Sequence, residues 1–176
     1  IINHSANEVW KQKHARFGFV DFIDDDEVVD ALFAAASEWA KDKGMDAIKG
    51  PMGYTDLDHE GLLVEGYDKM STMSTTYNFP YYKEQIERLG FEKDAYWQEF
   101  YIAVPKELPD RHVRISKLIS QKYCFKVLKF TSLKNISPYV EQLFKVLNEA
   151  YAPLYGFAPL TQKPIDYYVK MYVPLL

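Results

Sequence analysis

The stretch that decides the fold of this chain is Phe79-Pro-Tyr-Tyr-Lys-Glu-Gln-Ile-Glu-Arg-Leu-Gly-Phe91. Proline is favoured at the first position of a helix, where its missing N–H costs nothing. Tyr82, Ile86 and Leu89 then fall on one helical face, which is the spacing of an amphipathic helix. Gly90 provides a residue that ends a helix readily. The pattern predicts a short helix from Pro80 to Leu89, followed by a turn.

Before this stretch, the sequence predicts a strand, a helix and a second strand. Aromatic and β-branched residues favour a strand over Phe17–Ile23. Acidic residues then offer an N-cap to a helix over Glu27–Lys43, and Gly44 is suited to its end. A short buried strand is expected at Met45–Ile48. The apolar stripe of the helix is predicted from five residues at i, i+4, i+7, i+8 and i+11: Val28, Leu32, Ala35, Ala36 and Trp39.

After this stretch, strands and helices alternate again. Strands are predicted at Trp97–Val104 and Cys124–Phe130, and helices are predicted to begin near Ser137 and Pro164. This alternation predicts an α/β fold. The polar, proline-flanked residues 105–109 suggest a boundary between two units, residues 1–108 and residues 109–176.

Composition narrows the classes of function. The net charge of −4 argues against a nucleic-acid partner, and the basic stretch from Arg111 to Lys134 favours a solvated surface over a phosphate-binding face. No apolar run reaches the roughly 18 residues of a membrane span, so no membrane partner is expected. The single Cys124 excludes an intrachain disulfide and favours a cytoplasmic location. No metal is expected, because neighbours such as Asp56, Asp58 and Glu60 rarely converge on one ion.

The segment from Phe17 to Val104 resembles the C-terminal part of the GNAT acyl-CoA N-acyltransferase fold, a mixed sheet flanked by helices. Gly50-Pro51, Gly61-Leu-Leu-Val-Glu-Gly66 and Tyr77-Asn78 are similar to a group of uncharacterised bacterial proteins with GNAT-like domains. The part from Cys124 to Leu176 looks like the start of a second similar unit. The chain begins at Ile1 and ends in an apolar run, so it is expected to be part of a longer protein.

The resemblance implies an N-acyltransferase that moves an acyl group from acetyl-CoA or another acyl-CoA to a small amine. Two positions depart from the family pattern. The glycine-rich loop that would hold the CoA pyrophosphate is replaced by Ile23-Asp-Asp-Asp-Glu27, whose carboxylates repel an anion. The position of the family's catalytic tyrosine is Ile86, which has no proton to donate.

Four residues remain as candidates for the site. Glu65 is a candidate base, with His59 and Glu60 nearby, or part of a solvated loop. Tyr81 and Tyr82 are candidate substitutes for the missing acid, or packing residues, and Tyr81 is also a candidate to bind substrate or cofactor. Asn78 is a candidate to orient the pantetheine of CoA, or a helix cap. The alternative function is a catalytically inactive GNAT-like module that binds a ligand or another protein.

Overall fold

A computed structural model describes residues 1–72, 75–130 and 132–172, apart from the side chain of residue 133. Residues 73, 74 and 131 and all of the apolar end at 173–176 therefore lie outside the described residues. The elements within the described part are α1 (His4–Val9), β1 (His14–Arg16), α2 (Asp26–Asp42), β2 (Ala47–Lys49), α3 (Tyr81–Arg88), α4 (Asp110–Tyr123), α5 (Leu133–Ile136), a 3₁₀-helix (Ser137–Tyr139), α6 (Val140–Tyr151) and α7 (Gln162–Tyr172).

The sheet consists of β1 and β2, which pair in parallel with Arg16 opposite Lys49. Helix α2 connects them, as a parallel pair requires a crossover. The chain is therefore α/β, with many helices and a small parallel sheet. The second predicted strand is confirmed with a shift of two residues. The larger GNAT-like sheet stays a prediction.

The strand predicted at Phe17–Ile23 is wrong, because β1 ends at Arg16. Phe17 still donates its N–H to the Lys49 carbonyl at 3.0 Å. Phe19 then has a φ of 52°, in the left-handed region that an extended strand does not enter. The aromatic residues that suggested a strand are instead used for packing, since Phe22 lies in the core.

Helix α2 forms where the sequence predicts it, but the buried stripe is shifted by one residue. Val29 is 0% exposed and Phe33 is 4% exposed. Val28, Leu32 and Trp39, from the predicted stripe, are between 42% and 44% exposed. Both stripes have helical spacing, and the neighbours of the helix decide which one is buried: the Phe33 ring meets those of Phe17, Phe22 and Phe91.

Helix α3 places its apolar face in the same core. Tyr82 and Ile86 are 5% and 7% exposed and pack with Phe22, Val29 and Phe33. Ile86 therefore acts as a core residue. The predicted helix is confirmed, although it begins at Tyr81, one residue after the proline.

Two predicted strands are absent from the described structure. Trp97–Val104 has no strand, and its side chains are exposed, with Tyr101 at 97%. Cys124 ends α4 in the left-handed conformation, with a φ of 54°, and residues 125–130 form no strand. Aromatic and β-branched residues favour extended backbone, but a strand also needs a hydrogen-bonded partner, and the described residues provide none here.

A second core lies between α6 and α7. Phe144, Leu160 and Tyr168 are buried there, and Leu57 from the loop after β2 packs against them.

A hydrogen bond connects the two predicted units, since Arg16 donates to the Gly156 carbonyl at 3.0 Å. The division at residue 108 stays a prediction.

Among the described residues, no helix is long and apolar enough to cross a membrane. In the same part of the chain, no group of three or more His, Cys, Asp or Glu side chains is placed to hold a metal ion.

Candidate functional site

Two cations lie at the same edge of the sheet. Arg16 is the last residue of β1 and Lys49 is the last residue of β2, and the two are paired in register. The carboxyl ends of parallel strands are the usual place for ligands in α/β proteins. Around these cations lie Asp56, Glu60, Asp94 and Tyr155. We refer to these six residues as the mixed-charge cluster.

Arg16 holds the walls of this cluster together. Its side chain is buried and donates to the carbonyls of Gly53 and Tyr54 at 3.3 Å, and to that of Gly156 at 3.0 Å. Burial lowers the pKa of Arg16 from its usual value, although a guanidinium keeps its proton in proteins. Arg16 is therefore a fixed positive charge that joins the loop after β2 to the segment after α6.

The loop after β2 is folded by its own side chains. The Asp58 carboxylate accepts the N–H groups of Tyr54 at 2.8 Å and Thr55 at 3.0 Å. A Cβ on Gly53 would lie 2.2 Å from the Asp58 Cβ, so only glycine fits there. Gly61 closes the loop by donating to the Pro51 carbonyl at 2.7 Å. These bonds fix the backbone that carries Asp56 and Glu60.

Glu60 has the chemistry of a general base. Burial, and then the nearby Asp56, raise the pKa of this carboxyl from 4.5 to about 7, against the opposing effect of Arg16 and Lys49. Burial also raises the pKa of Asp56. A carboxyl that titrates near neutral pH can accept a proton and release it again under ordinary conditions.

Lys49 and Tyr155 face each other on the other side of the cluster. The Lys49 Nζ lies 4.7 Å from the centre of the Tyr155 ring and 3.6 Å from an Asp94 carboxylate oxygen. The Tyr155 hydroxyl donates to the same carboxylate. Burial and this hydrogen bond raise the pKa of Tyr155, so the phenol keeps its proton. Trp10 and Trp97 flank the ring, with centroids at 6.2 and 6.1 Å.

The structure places the candidate acid, Tyr82, in the first core. Its hydroxyl donates to the Asp21 carboxylate and accepts the Phe22 N–H at 3.3 Å. Burial and the bond to Asp21 raise the pKa of Tyr82 to about 12. Its neighbour Tyr81 is half-buried and donates to the Phe22 carbonyl at 2.7 Å.

Asn78 and Glu65 differ in their exposure to solvent. The buried Asn78 accepts the Leu63 N–H at 2.7 Å and donates to the Leu63 carbonyl at 3.1 Å. It therefore ties the loop to the helix entry, and α3 has no side-chain cap. Glu65 is exposed. Within the described residues, no hydrogen bond connects Glu65 with Asn78 or Tyr82, and their roles in a site stay predictions.

The acidic junction before α2 is occupied by the protein itself. Asp25 caps the helix by accepting the Val28 N–H at 3.1 Å. Asp24 and Asp26 each accept from the Gln85 amide at 2.9 Å, which anchors α3 to this junction. The helix N-terminus that would hold a pyrophosphate is thus filled by carboxylates. The residues present do not fit that group.

Most of the mixed-charge cluster could not be found in the sequence. Arg16, Lys49, Asp94 and Tyr155 are distant in sequence and belong to no local motif. In the sequence, Glu60 and Asp56 stand out only as neighbours that rarely converge on a metal ion, and Glu60 also as a neighbour of Glu65. The arrangement depends on Arg16 and Lys49 being the last residues of two paired strands, and the sequence placed the ends of both strands incorrectly.

Comparisons with known proteins give two relatives. The chain is 30% identical over 154 residues to Protein YghO of Escherichia coli (strain K12). The aligned region covers 83% of this chain and 37% of that protein. It is 24% identical over 147 residues to Bacterial ceramide synthase of Caulobacter vibrioides. This second aligned region covers 83% of this chain and 38% of that protein. The chain thus spans less than two fifths of either curated relative. No protein-family model and no solved structure matches it.

Proposed function

We propose that this chain is part of a GNAT-like N-acyltransferase that transfers an acyl group from acetyl-CoA or another acyl-CoA to a small amine. The observation that carries the proposal is the environment of Glu60. It is a half-buried carboxyl with a pKa of about 7, beside Arg16 and Lys49 at the carboxyl edge of the sheet. A substrate amine arrives as an ammonium ion and must lose a proton before it can attack a carbonyl, and a base with this pKa is suited to take it.

The name of one relative supports the same class of reaction. Bacterial ceramide synthase is named for making ceramide, and a ceramide carries an acyl group in amide linkage on a long-chain amino alcohol. Its synthesis therefore includes acylation of an amine. The identity is 24%, so this likeness supports a reaction class for this chain and leaves the substrate open.

In the proposed step, the carboxylate of Glu60 takes one proton of the ammonium and later releases it to solvent. The free amine attacks the thioester carbon, and the new C–N bond forms as the C–S bond breaks. The departing thiolate takes up the second amine proton and leaves as the free thiol. Glu60 is preferred to Glu65 as the base, because Glu60 is half-buried in the mixed-charge cluster whereas Glu65 is exposed to solvent. Tyr82 is a poor acid in its present place, since its proton is held by a carboxylate. No residue is assigned to hold the pyrophosphate of CoA, because the junction before α2 does not fit that group.

The second candidate function is a catalytically inactive GNAT-like module that binds a ligand or another protein. Three observations favour it: Ile86 lies in the core, the Tyr82 hydroxyl is engaged with Asp21, and carboxylates fill the N-terminus of α2. Such a module would keep the sheet and the core, while Glu60 would serve only to bind a cation.

Release of free thiol from acyl-CoA, measured with a panel of small and long-chain amines, tests the proposal. We expect turnover that rises as the pH passes about 7, because only the ionised Glu60 can take the proton. Glu60→Gln should lower the rate by about 10²- to 10⁴-fold. Glu65→Gln is the matched variant in the same loop. A loss of rate in Glu65→Gln alone would move the base to Glu65.

Calorimetric titration of acetyl-CoA separates the two candidate functions. Heat of binding at micromolar concentration together with turnover supports the transferase. If CoA binds only at millimolar concentration or not at all, and no amine in the panel is acylated, the inactive module is the better description.

A further inference from the structure

We propose that α4 and the residues that follow it form a surface that binds the headgroups of an anionic lipid membrane. The surface consists of residues 111–130, which we call the basic segment. It contains six Lys or Arg and no Asp or Glu. The rest of the chain has 15 basic and 25 acidic residues, so its net charge is −10. The chain as a whole is acidic, and its positive charge is concentrated here.

The basic segment is also the least packed part of the described chain. Helix α4 has no buried residue, and every residue from 96 to 129 is exposed. A helix of 14 residues has little stability in isolation in water, and in proteins such a helix normally rests on an apolar partner. The face of α4 is therefore open to a partner that the structure does not contain.

Helix α4 carries an exposed apolar stripe that is interspersed with and bordered by cations. Ile115, Leu118, Ile119 and Tyr123 follow the spacing i, i+3, i+4 and i+8, with exposures between 38% and 57%. At 3.6 residues per turn, Arg111 and Lys122 lie between the apolar residues of the stripe. Arg114 lies at the edge of the stripe next to Leu118, and Lys117 lies on the opposite side. The stripe continues after the helix in three exposed residues: Phe125, Val127 and Leu128.

This combination suits a lipid surface. An interfacial helix lies in the membrane plane, with its apolar face about 5–10 Å deep and its cations at the phosphate level. Long Lys and Arg side chains can reach the headgroups from beside the apolar stripe. A second copy of the chain fits less well, because a two-fold contact through this face would bring six cations against six.

Lying on a membrane differs from spanning one. The expectation of no membrane partner came from the lack of a long apolar run, which concerns only a span. The basic segment was interpreted as a solvated surface in preference to a phosphate-binding face. The exposed apolar stripe beside the cations now favours phosphate binding, with the phosphate belonging to a lipid.

Co-sedimentation of the 176-residue chain with lipid vesicles tests the inference. We expect binding to phosphatidylcholine vesicles that contain phosphatidylserine, weak binding to phosphatidylcholine alone, and release at high salt. The double variant Arg111→Gln/Lys122→Gln should lower partitioning about 30-fold, since each cation near such a surface contributes roughly a factor of five. The double variant Leu118→Ser/Ile119→Ser should lower it roughly tenfold or more.

The matched control is Lys41→Gln/Lys43→Gln, which removes two exposed cations at the end of α2 and should leave partitioning unchanged. All three double variants change exposed residues, so thermal unfolding should show that the fold is kept. Equal binding to neutral vesicles, or no binding to either kind, overturns the inference. Sedimentation velocity adds one more decisive result: if the chain forms a dimer that Leu118→Ser/Ile119→Ser dissociates, the partner is a second copy and the membrane assignment is wrong.

Discussion

Helices α2 and α4 are both amphipathic, but only α2 buries one of its faces. Val29 and Phe33 of α2 are almost fully buried against α3 and the segment after β1, whereas α4 has no buried residue. The difference lies in what surrounds each helix. Spacing of apolar residues is sufficient to predict that a helix forms, but burial requires a second apolar surface at the right place. The two helices therefore offer matched sites at which the same substitution has different expected costs.

The largest difference between α2 and α4 in the free energy of unfolding is expected when an apolar side chain is truncated. Phe33→Ala removes a ring that contacts Phe17, Phe22 and Phe91, and leaves a cavity in the first core. We expect the free energy of unfolding to fall by about 3–4 kcal/mol. Leu118→Ala on α4 should change it by less than about 0.5 kcal/mol, because the side chain is 57% exposed. Urea unfolding followed by circular dichroism measures both. Similar losses would mean that α4 is packed in solution.

Enlarging a side chain should show the same contrast at a smaller scale. Ile86→Tyr places a tyrosine where the GNAT resemblance would have a catalytic one, but the site is enclosed by Phe22, Val29 and Phe33. We expect a loss of about 1–3 kcal/mol from overpacking and no gain in the rate of acyl transfer. Ile119→Tyr on α4 should be nearly neutral. A stable Ile86→Tyr protein with a raised rate would instead show that α3 can open its buried face to substrate.

The pH dependence of stability should depend on burial in the same way. The pKa of Glu60 is about 7 in the folded protein and about 4.5 when the chain is unfolded. Between these values the folded state holds a proton that the unfolded state has lost, so stability should fall as the pH rises from about 4.5 to about 7. We expect a loss on the order of 1–2 kcal/mol, since the carboxyl is only partly shielded from solvent.

Glu60→Gln should remove this part of the pH dependence and should stabilise the protein at pH 8. The control is Glu107→Gln, on the exposed segment before α4, which should leave the profile as it is in the unmodified chain. Urea unfolding at several pH values measures the effect. A profile that Glu60→Gln leaves unchanged would show that this carboxyl has an ordinary environment, and it would remove the main support for Glu60 as a base.

The sequence predicted local structure better than it predicted partners. Helices α2 and α3 were predicted because caps, glycines and apolar spacing are local signals, and Asp25 and Gly44 act as expected. The buried stripe of α2 was misplaced, since two stripes with the same spacing compete and the stripe with Phe33 meets the aromatic rings of the core. The strand predicted at Trp97–Val104 failed for a related reason, because β propensity does not provide a hydrogen-bonded neighbour.

The candidate site was harder to predict than the fold. Glu60 acquires its pKa from burial and from Asp56, Arg16 and Lys49, and two of these three lie on strands whose ends were placed incorrectly. Tyr155 reaches the site from the segment after α6, which the sequence assigned to a separate unit. Glu65 and Tyr82 were selected by residue type and local context. A reactive carboxyl is defined by its three-dimensional surroundings, which no local pattern encodes.

The smallest effect that can distinguish the two helices concerns their first turns. Asp25 caps α2 by accepting the Val28 N–H at 3.1 Å, whereas α4 begins after Pro109 with no side-chain cap. Asp25→Ala should cost about 1 kcal/mol. Because α2 contributes to the first core, this cost should appear in global unfolding.

Asp110→Ala removes only a favourable charge in the first turn of α4, worth a few tenths of a kcal/mol. Because α4 is not packed, its loss should appear as local fraying in amide hydrogen exchange, with the urea midpoint unchanged. A shift of the midpoint by Asp110→Ala would mean that α4 unfolds together with the core, and that the contrast between the helices is smaller than their exposure suggests.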